Sequence, residues 1–214
     1  MPDWQAWLQT WNRELLARYD PTQHDAFVDP QVTSEVIASG WLGAPGASEV
    51  QLAELEGRLG KGLPPSYREF LRASNGFLQP GVVVPRLLRT EEVRWLRERE
   101  PETVAAWTQG LASGPEAGDA GGFEQDLASA LQVSARETVG TAMYLINPQV
   151  VSADGEWEAW YFAHWVPGVH RFPSFWALMQ SELESLRAPA PPPPPGRLQT
   201  FVNVVRWIFR GPLS

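Results

Sequence analysis

SEVQLAELEGRLGKGLPPSYREFLRASNGF, residues 48–77, holds two helix signatures, a proline hinge and a stop signal. Ser48 is a preferred N-cap, and Gln51, three positions on, closes a capping box by reaching back to the Ser48 amide. Leu52, Leu55 and Leu59 recur at i, i+3 and i+7 as one apolar stripe, while Glu49, Glu54, Glu56 and Arg58 take the remaining surface. Gly60-Lys61-Gly62 stops this helix, since glycine accepts the left-handed geometry past a helix end without a Cβ clash. Pro64-Pro65 fits only the first turn of a second helix, where an amide donor is not missed. Its buried face is expected to be Tyr67, Phe70 and Leu71, with Arg68, Glu69 and Arg72 outward and Asn75-Gly76 at its end. The result is a helix-turn-helix hairpin on which the rest of the chain is expected to pack.

Upstream, Trp4, Trp7, Leu8, Trp11 and Leu15 fall at i, i+3, i+4, i+7 and i+11, which predicts an aromatic-faced helix over 3–19. That face folds back on the domain, buries in a homodimer, or serves as a partner surface. Asp20-Pro21 ends it, and a connector follows with a short helix over 34–38, docked by Ile37, Trp41 and Leu42.

Downstream, Val82–Val84 reads as a short strand between Gly81 and Pro85, and Thr90 is expected to cap a charged helix from Glu91 to about Glu100. Residues 101–122, rich in Gly, Ala, Ser and Glu, read as a mobile loop. Leu127–Ser134 predicts a helical turn entering a strand, and Thr141–Ile146 a strand broken by Asn147-Pro148. After the Asp154-Gly155 turn, Trp157–Trp165 predicts a central strand. Alternation puts Trp157, Ala159, Tyr161, Ala163 and Trp165 on one face and Glu158, Trp160, Phe162 and His164 on the other. Pro167-Gly168 turns the chain, and Ser174 caps a helix buried through Phe175, Leu178, Met179, Leu183 and Leu186.

Pro189–Gly196 is a polyproline spacer. Beyond it Leu198, Phe201, Val202, Val205, Ile208 and Phe209 form an apolar stripe flanked by Arg197, Arg206 and Arg210. Residues 198–210 are too few to cross a bilayer; their basic amphipathic character suits a membrane interface or a partner, and docking on the chain's own domain is the alternative.

The ordered string from Leu52 to Gly76, with Leu52-x-x-Leu55-Glu56, Leu59-Gly60, Leu63-Pro64-x-x-Tyr67, Phe70-Leu71 and Asn75-Gly76, resembles the opening motif of the SUKH superfamily. Pro45-Gly46-Ala47-Ser48 matches the lead-in. Leu145-Ile146-Asn147-Pro148, Gly155-Glu156-Trp157, Phe162-Ala163-x-Trp165 and Phe172-x-Ser174-Phe175-Trp176 continue the resemblance, which spans about residues 41–187. It implies an α+β fold, an antiparallel sheet carrying helices. The expected organisation is a Trp-rich helix and connector over 1–40, the domain over 41–187, a proline linker over 188–196 and an amphipathic helix over 197–214. The Gly-rich loop and the Trp-rich N-terminus depart from the family pattern.

The 214 residues carry 43% hydrophobic and 20% charged side chains, an ordinary globular composition. With 17 basic and 25 acidic side chains the net charge is −8, which argues against nucleic acid and suits a basic partner as well as plain solubility. The absence of cysteine excludes disulfide staples, thiol catalysis and cysteine zinc sites. An acid near the N-terminus and no continuous apolar region lead to the expectation of a cytoplasmic protein without a signal peptide.

Chemistry has few candidates. His24, His164 and His170 show no ligand spacing, and no nucleophile elbow or phosphate loop is present, so no catalytic residue, metal or cofactor is expected. Glu156 and Glu158 are expected to share a strand face. The resemblance implies an immunity protein that captures a cognate toxin, and Glu91, Glu92, Glu156, Glu158 and Trp160 are the expected protein-binding residues. The alternative is a regulatory or scaffold module recruiting partners through its terminal helices.

Overall fold

The computed structural model describes residues 2–19, 30–80, 84–111, 123–136, 142–163 and 168–188. The proline spacer, the amphipathic segment after it and most of the strand expected at 82–84 lie outside those residues.

Helix α1 (Trp4–Leu16) starts where the Asp3 carboxylate accepts the Ala6 amide at 3.0 Å, and α2 (Ser34–Ser39) where Thr33 caps Val36. Helix α3 (Glu49–Leu59) closes both halves of the Ser48/Gln51 capping box and ends at Gly60, whose φ of 66° is left-handed. Helix α4 (Pro65–Ala73) buries Tyr67, Phe70 and Leu71. Residues 42–48 then cross the end of α4, Ala47 donating to the Leu71 carbonyl at 2.8 Å while Asn75 donates to Pro45 at 3.2 Å. The first of these bonds takes up a carbonyl that the end of α4 leaves unpaired.

The helix expected from Glu91 to Glu100 is divided. The Glu92 carboxylate accepts the Arg89 amide at 2.9 Å and grips Arg86, which forms a turn, and Arg94–Trp95 is strand β1, paired with Gln132 and Leu131. Helix α5 (Leu96–Arg99) keeps only the last part of the expected segment. The expected loop is also corrected, because its first half is helix α6 (Pro101–Leu111). Glycine begins only at Gly110, and Val104 and Trp107, at i and i+3, half-bury against the sheet. Residues 112–122 lie outside the described set.

Helix α7 (Phe123–Leu127) leads into β2 (Leu131–Gln132), and β3 (Met143–Val151) follows. Asn147-Pro148 does not end β3. The pairing register shifts between Asn147 and Val151, and that bulge accommodates a proline that cannot donate to the ladder. Gly155, at φ 82°, makes the hairpin turn into β4 (Trp157–Phe162). Strand β5 (Val169–Phe172), which its mixed sequence does not announce, pairs with β4 before Ser174 caps α8 (Phe175–Arg187).

The five strands form one antiparallel sheet in the order β1-β2-β3-β4-β5. Alternation along β4 works as expected over its described residues: Trp157, Ala159, Tyr161 and Ala163 join the larger core with α1, α3, α4 and α8, whereas Trp160 and Phe162 join Leu96, Phe123, Leu127, Met143 and Leu145 on the other face. The fold is thus α+β, with helices on both sheet faces. The aromatic face of α1 is used on its own domain. Trp4 meets Phe70 at 5.4 Å, Phe175 at 5.7 Å and Trp176 at 4.8 Å between ring centroids. Asn12 ties the helix to the connector, donating to Gly40 at 2.8 Å and accepting from the Leu42 amide at 2.9 Å.

Candidate interaction surface

Glu156 stands just before β4, and its carboxylate accepts both the Ser66 amide at 2.8 Å and the Ser66 hydroxyl at 2.7 Å. Pro64 offers α4 no side-chain cap, so Glu156 supplies one from 90 residues away, an anion at the positive end of the helix. Glu158 lies on the opposite face. Its carboxylate accepts the Trp160 indole N–H at 2.6 Å and the Arg171 guanidinium at 2.7 Å, and Arg171 also sits 5.4 Å over the Trp160 ring. Glu156 and Glu158 therefore do not share a face, because the alternation of β4 begins only at Trp157.

Trp160 is fully buried under this cover. Glu92 is held by Arg86 at 2.8 Å. Burial pushes its carboxyl up, but the Arg86 guanidinium and the Arg89 amide outweigh that and leave it below the usual range. Glu91 is exposed beside it. Both precede β1, whereas Glu158 lies next to β5 at the other edge of the sheet. Of the five residues, the structure brings Glu158 and Trp160 together.

The most exposed apolar side chains of the sheet lie where β3 runs past Pro148. Val150 is 45% and Val151 49% exposed, side by side at the tip of the β3–β4 hairpin. The tip is braced: Lys61 donates to the Pro148 carbonyl at 3.1 Å and sits 5.1 Å over the Trp157 ring. Asp154, exposed on the same tip, is bonded to Ser152, which holds its carboxyl below the usual range. Two adjacent β-branched residues are a sequence signal, masked by Asn147-Pro148, which reads as the end of the strand.

Among the described residues no group of His, Cys, Asp or Glu is placed to hold a metal ion, and no helix is long and apolar enough to cross a membrane. His170 is exposed on β5; His24 and His164 lie outside the described residues. A cleft of about 200 Å³, lined by Thr103, Trp107, Arg136, Met143 and Phe162, opens where α6 meets β3 and β4. Arg136 reaches across its rim to Thr103 at 2.8 Å and Glu100 at 3.3 Å.

One buried acid makes the stability depend on pH. Glu182 of α8 is 7% exposed and accepts the Tyr144 hydroxyl; burial raises its pKa from 4.5 to about 7, the Tyr144 bond lowering it only in part. The folded chain thus keeps a proton that the unfolded chain gives up. Glu182's contribution is complete below pH 4.5 and is lost as pH rises through about 7, a loss of up to about 3 kcal/mol. Urea unfolding as a function of pH should show this decline, and Glu182→Gln should flatten it; an unchanged slope in the variant would assign the decline to other groups.

The family model described as "SMI1 / KNR4 family (SUKH-1)" matches residues 46–180, from the lead-in of α3 to the middle of α8 and well over half of the chain. No curated protein matches the sequence. Helices α1 and α2 precede the matched region.

Proposed function

Because this chain belongs to the SMI1 / KNR4 family (SUKH-1), we propose that it is a non-enzymatic binding domain, an immunity protein that captures a basic toxin domain and occupies its active site. Family membership carries this reading. The charge of −8 supports it, since an acidic surface steers a basic partner into encounter. The braced hairpin tip supplies a suitable anchor, Val150 and Val151 giving apolar area beside Asp154. Glu91, exposed just before β1, extends the acidic setting towards that edge of the sheet. The scaffold alternative shares the same family match, but α1 is not free to recruit for it, because it spends its aromatic face on its own domain.

The test is stopped-flow association of the purified chain with candidate basic toxin domains from the same genome. The association rate should fall at least about tenfold as salt rises from about 0.01 M to about 0.15 M, since screening lengths shrink from about 30 Å to about 8 Å. Glu91→Lys and Asp154→Lys should slow association, whereas Val150→Ser with Val151→Ser should speed dissociation. Glu156→Lys is unsuitable, because it unseats α4. Rates indifferent to salt and to all four positions would remove the proposed surface.

A further inference from the structure

Val150 and Val151 mark one end of the β3–β4 pair, and Met143, paired with Phe162, marks the other. At that second end α6 does not close on the sheet. Trp107 leans on Phe162 and Phe123, with ring centroids 5.3 Å and 5.7 Å away, whereas α6 lines the space beside it only with the small side chains of Thr103 and Ala106. The cleft of about 200 Å³ is the space left over, with Met143, Phe162 and Ala163 as its floor and the Trp107 ring as its wall.

Size and walls select a ring. Protein interiors leave few voids larger than a water molecule, and a dry apolar cavity of about 150 Å³ already takes a benzene ring. An aromatic guest beside Trp107 continues the edge-to-face contacts that Trp107 makes with Phe123 and Phe162, the arrangement that ring quadrupoles favour.

The rim selects the charge. Arg136 is the one charged residue that lines the cleft. Its Nη1 donates to Thr103 at 2.8 Å and to Glu100 at 3.3 Å. The second contact is longer than the roughly 2.9 Å of a tight charge-assisted bond. Nε and Nη2 meet no acceptor among the described residues. Those two donors lie on one edge of a planar guanidinium, the fork that matches both oxygens of a carboxylate.

We infer that this cleft binds a small aromatic monocarboxylate, with the ring against Trp107, Met143 and Phe162 and the carboxylate on the Nε–Nη2 edge of Arg136. The site stands at the far end of the β3–β4 pair from the hairpin tip, so it is independent of toxin capture.

Methionine supplies the probe. The chain has Met1, Met143 and Met179, of which Met143 lines the cleft and Met179 lies in the core on the other sheet face. The full chain with isotope-labelled methionine methyl groups is titrated by NMR with phenylacetate, with its uncharged counterpart phenylacetamide, and with acetate. Phenylacetate should shift the Met143 signal to saturation and leave Met179 in place. Phenylacetamide should bind at least about tenfold more weakly, the loss expected for an ionic hydrogen-bonded pair, and acetate should not move Met143. Arg136→Gln should bring phenylacetate down to the affinity of phenylacetamide and leave phenylacetamide unchanged, a split that a merely structural role of Arg136 does not produce. Ala106→Trp, on an exposed position of α6, should block both ring ligands at an unchanged melting temperature. Absence of a saturable Met143 shift, equal affinity for phenylacetate and phenylacetamide, or equal effects of Arg136→Gln on the two ligands overturns the proposal.

Discussion

Phe70→Ala is expected to cost about 3–5 kcal/mol of unfolding free energy, the range for deleting a buried aromatic ring. Phe70 is fully buried, and its ring lies 5.4 Å from Trp4, 6.0 Å from Tyr67 and 5.4 Å from Phe175. One side chain thus joins α1, α4 and α8 above the sheet. The neighbours are themselves large rings locked against one another, so the space is not refilled by a small rotation. Urea unfolding measures the loss, and a shift below about 0.5 kcal/mol would mean that the three helices do not share this contact.

Gly46→Ala is expected to cost about 3 kcal/mol or more, at the upper end of overpacking. A Cβ at Gly46 would lie 1.9 Å from the Arg72 carbonyl oxygen and 2.9 Å from its carbon. Those atoms are backbone at the end of α4, so no rotamer relieves the clash. The bonds of Ala47 to Leu71 and of Asn75 to Pro45 would have to part instead. Gly57→Ala is the control: it lies on the exposed side of the last turn of α3, where an added Cβ meets nothing within 4 Å, and should stabilise the chain by about 0.5–1 kcal/mol. Equal melting temperatures for the two variants would show that residues 42–48 ride loosely on α4.

The central hairpin was legible because its signals are local. The Ser48/Gln51 box, the Leu52-Leu55-Leu59 stripe, Gly60 and Pro65 each act within a turn of where they stand. Strands β1 and β5 were not legible, since two to four residues owe their extended form to the partner strand rather than to their own pattern. Pro148 misled for a related reason: a bulge tolerates it only because β4 pairs on either side. In the candidate site, the alternation of β4 set Glu158 beside Trp160, but Glu156 belongs to α4 through Ser66, a tertiary bond that spacing does not encode. The arginines that hold Glu92 and Glu158 come from Arg86 and Arg171, partners visible only once the sheet is assembled.

The central claim is capture of a toxin by a domain of the SMI1 / KNR4 family, and co-expression of the full chain with each toxin domain encoded near its gene tests it most directly. Capture predicts that one toxin is suppressed and that it co-purifies with the chain as a stoichiometric complex. Suppression of none, together with co-purification of none, would contradict it.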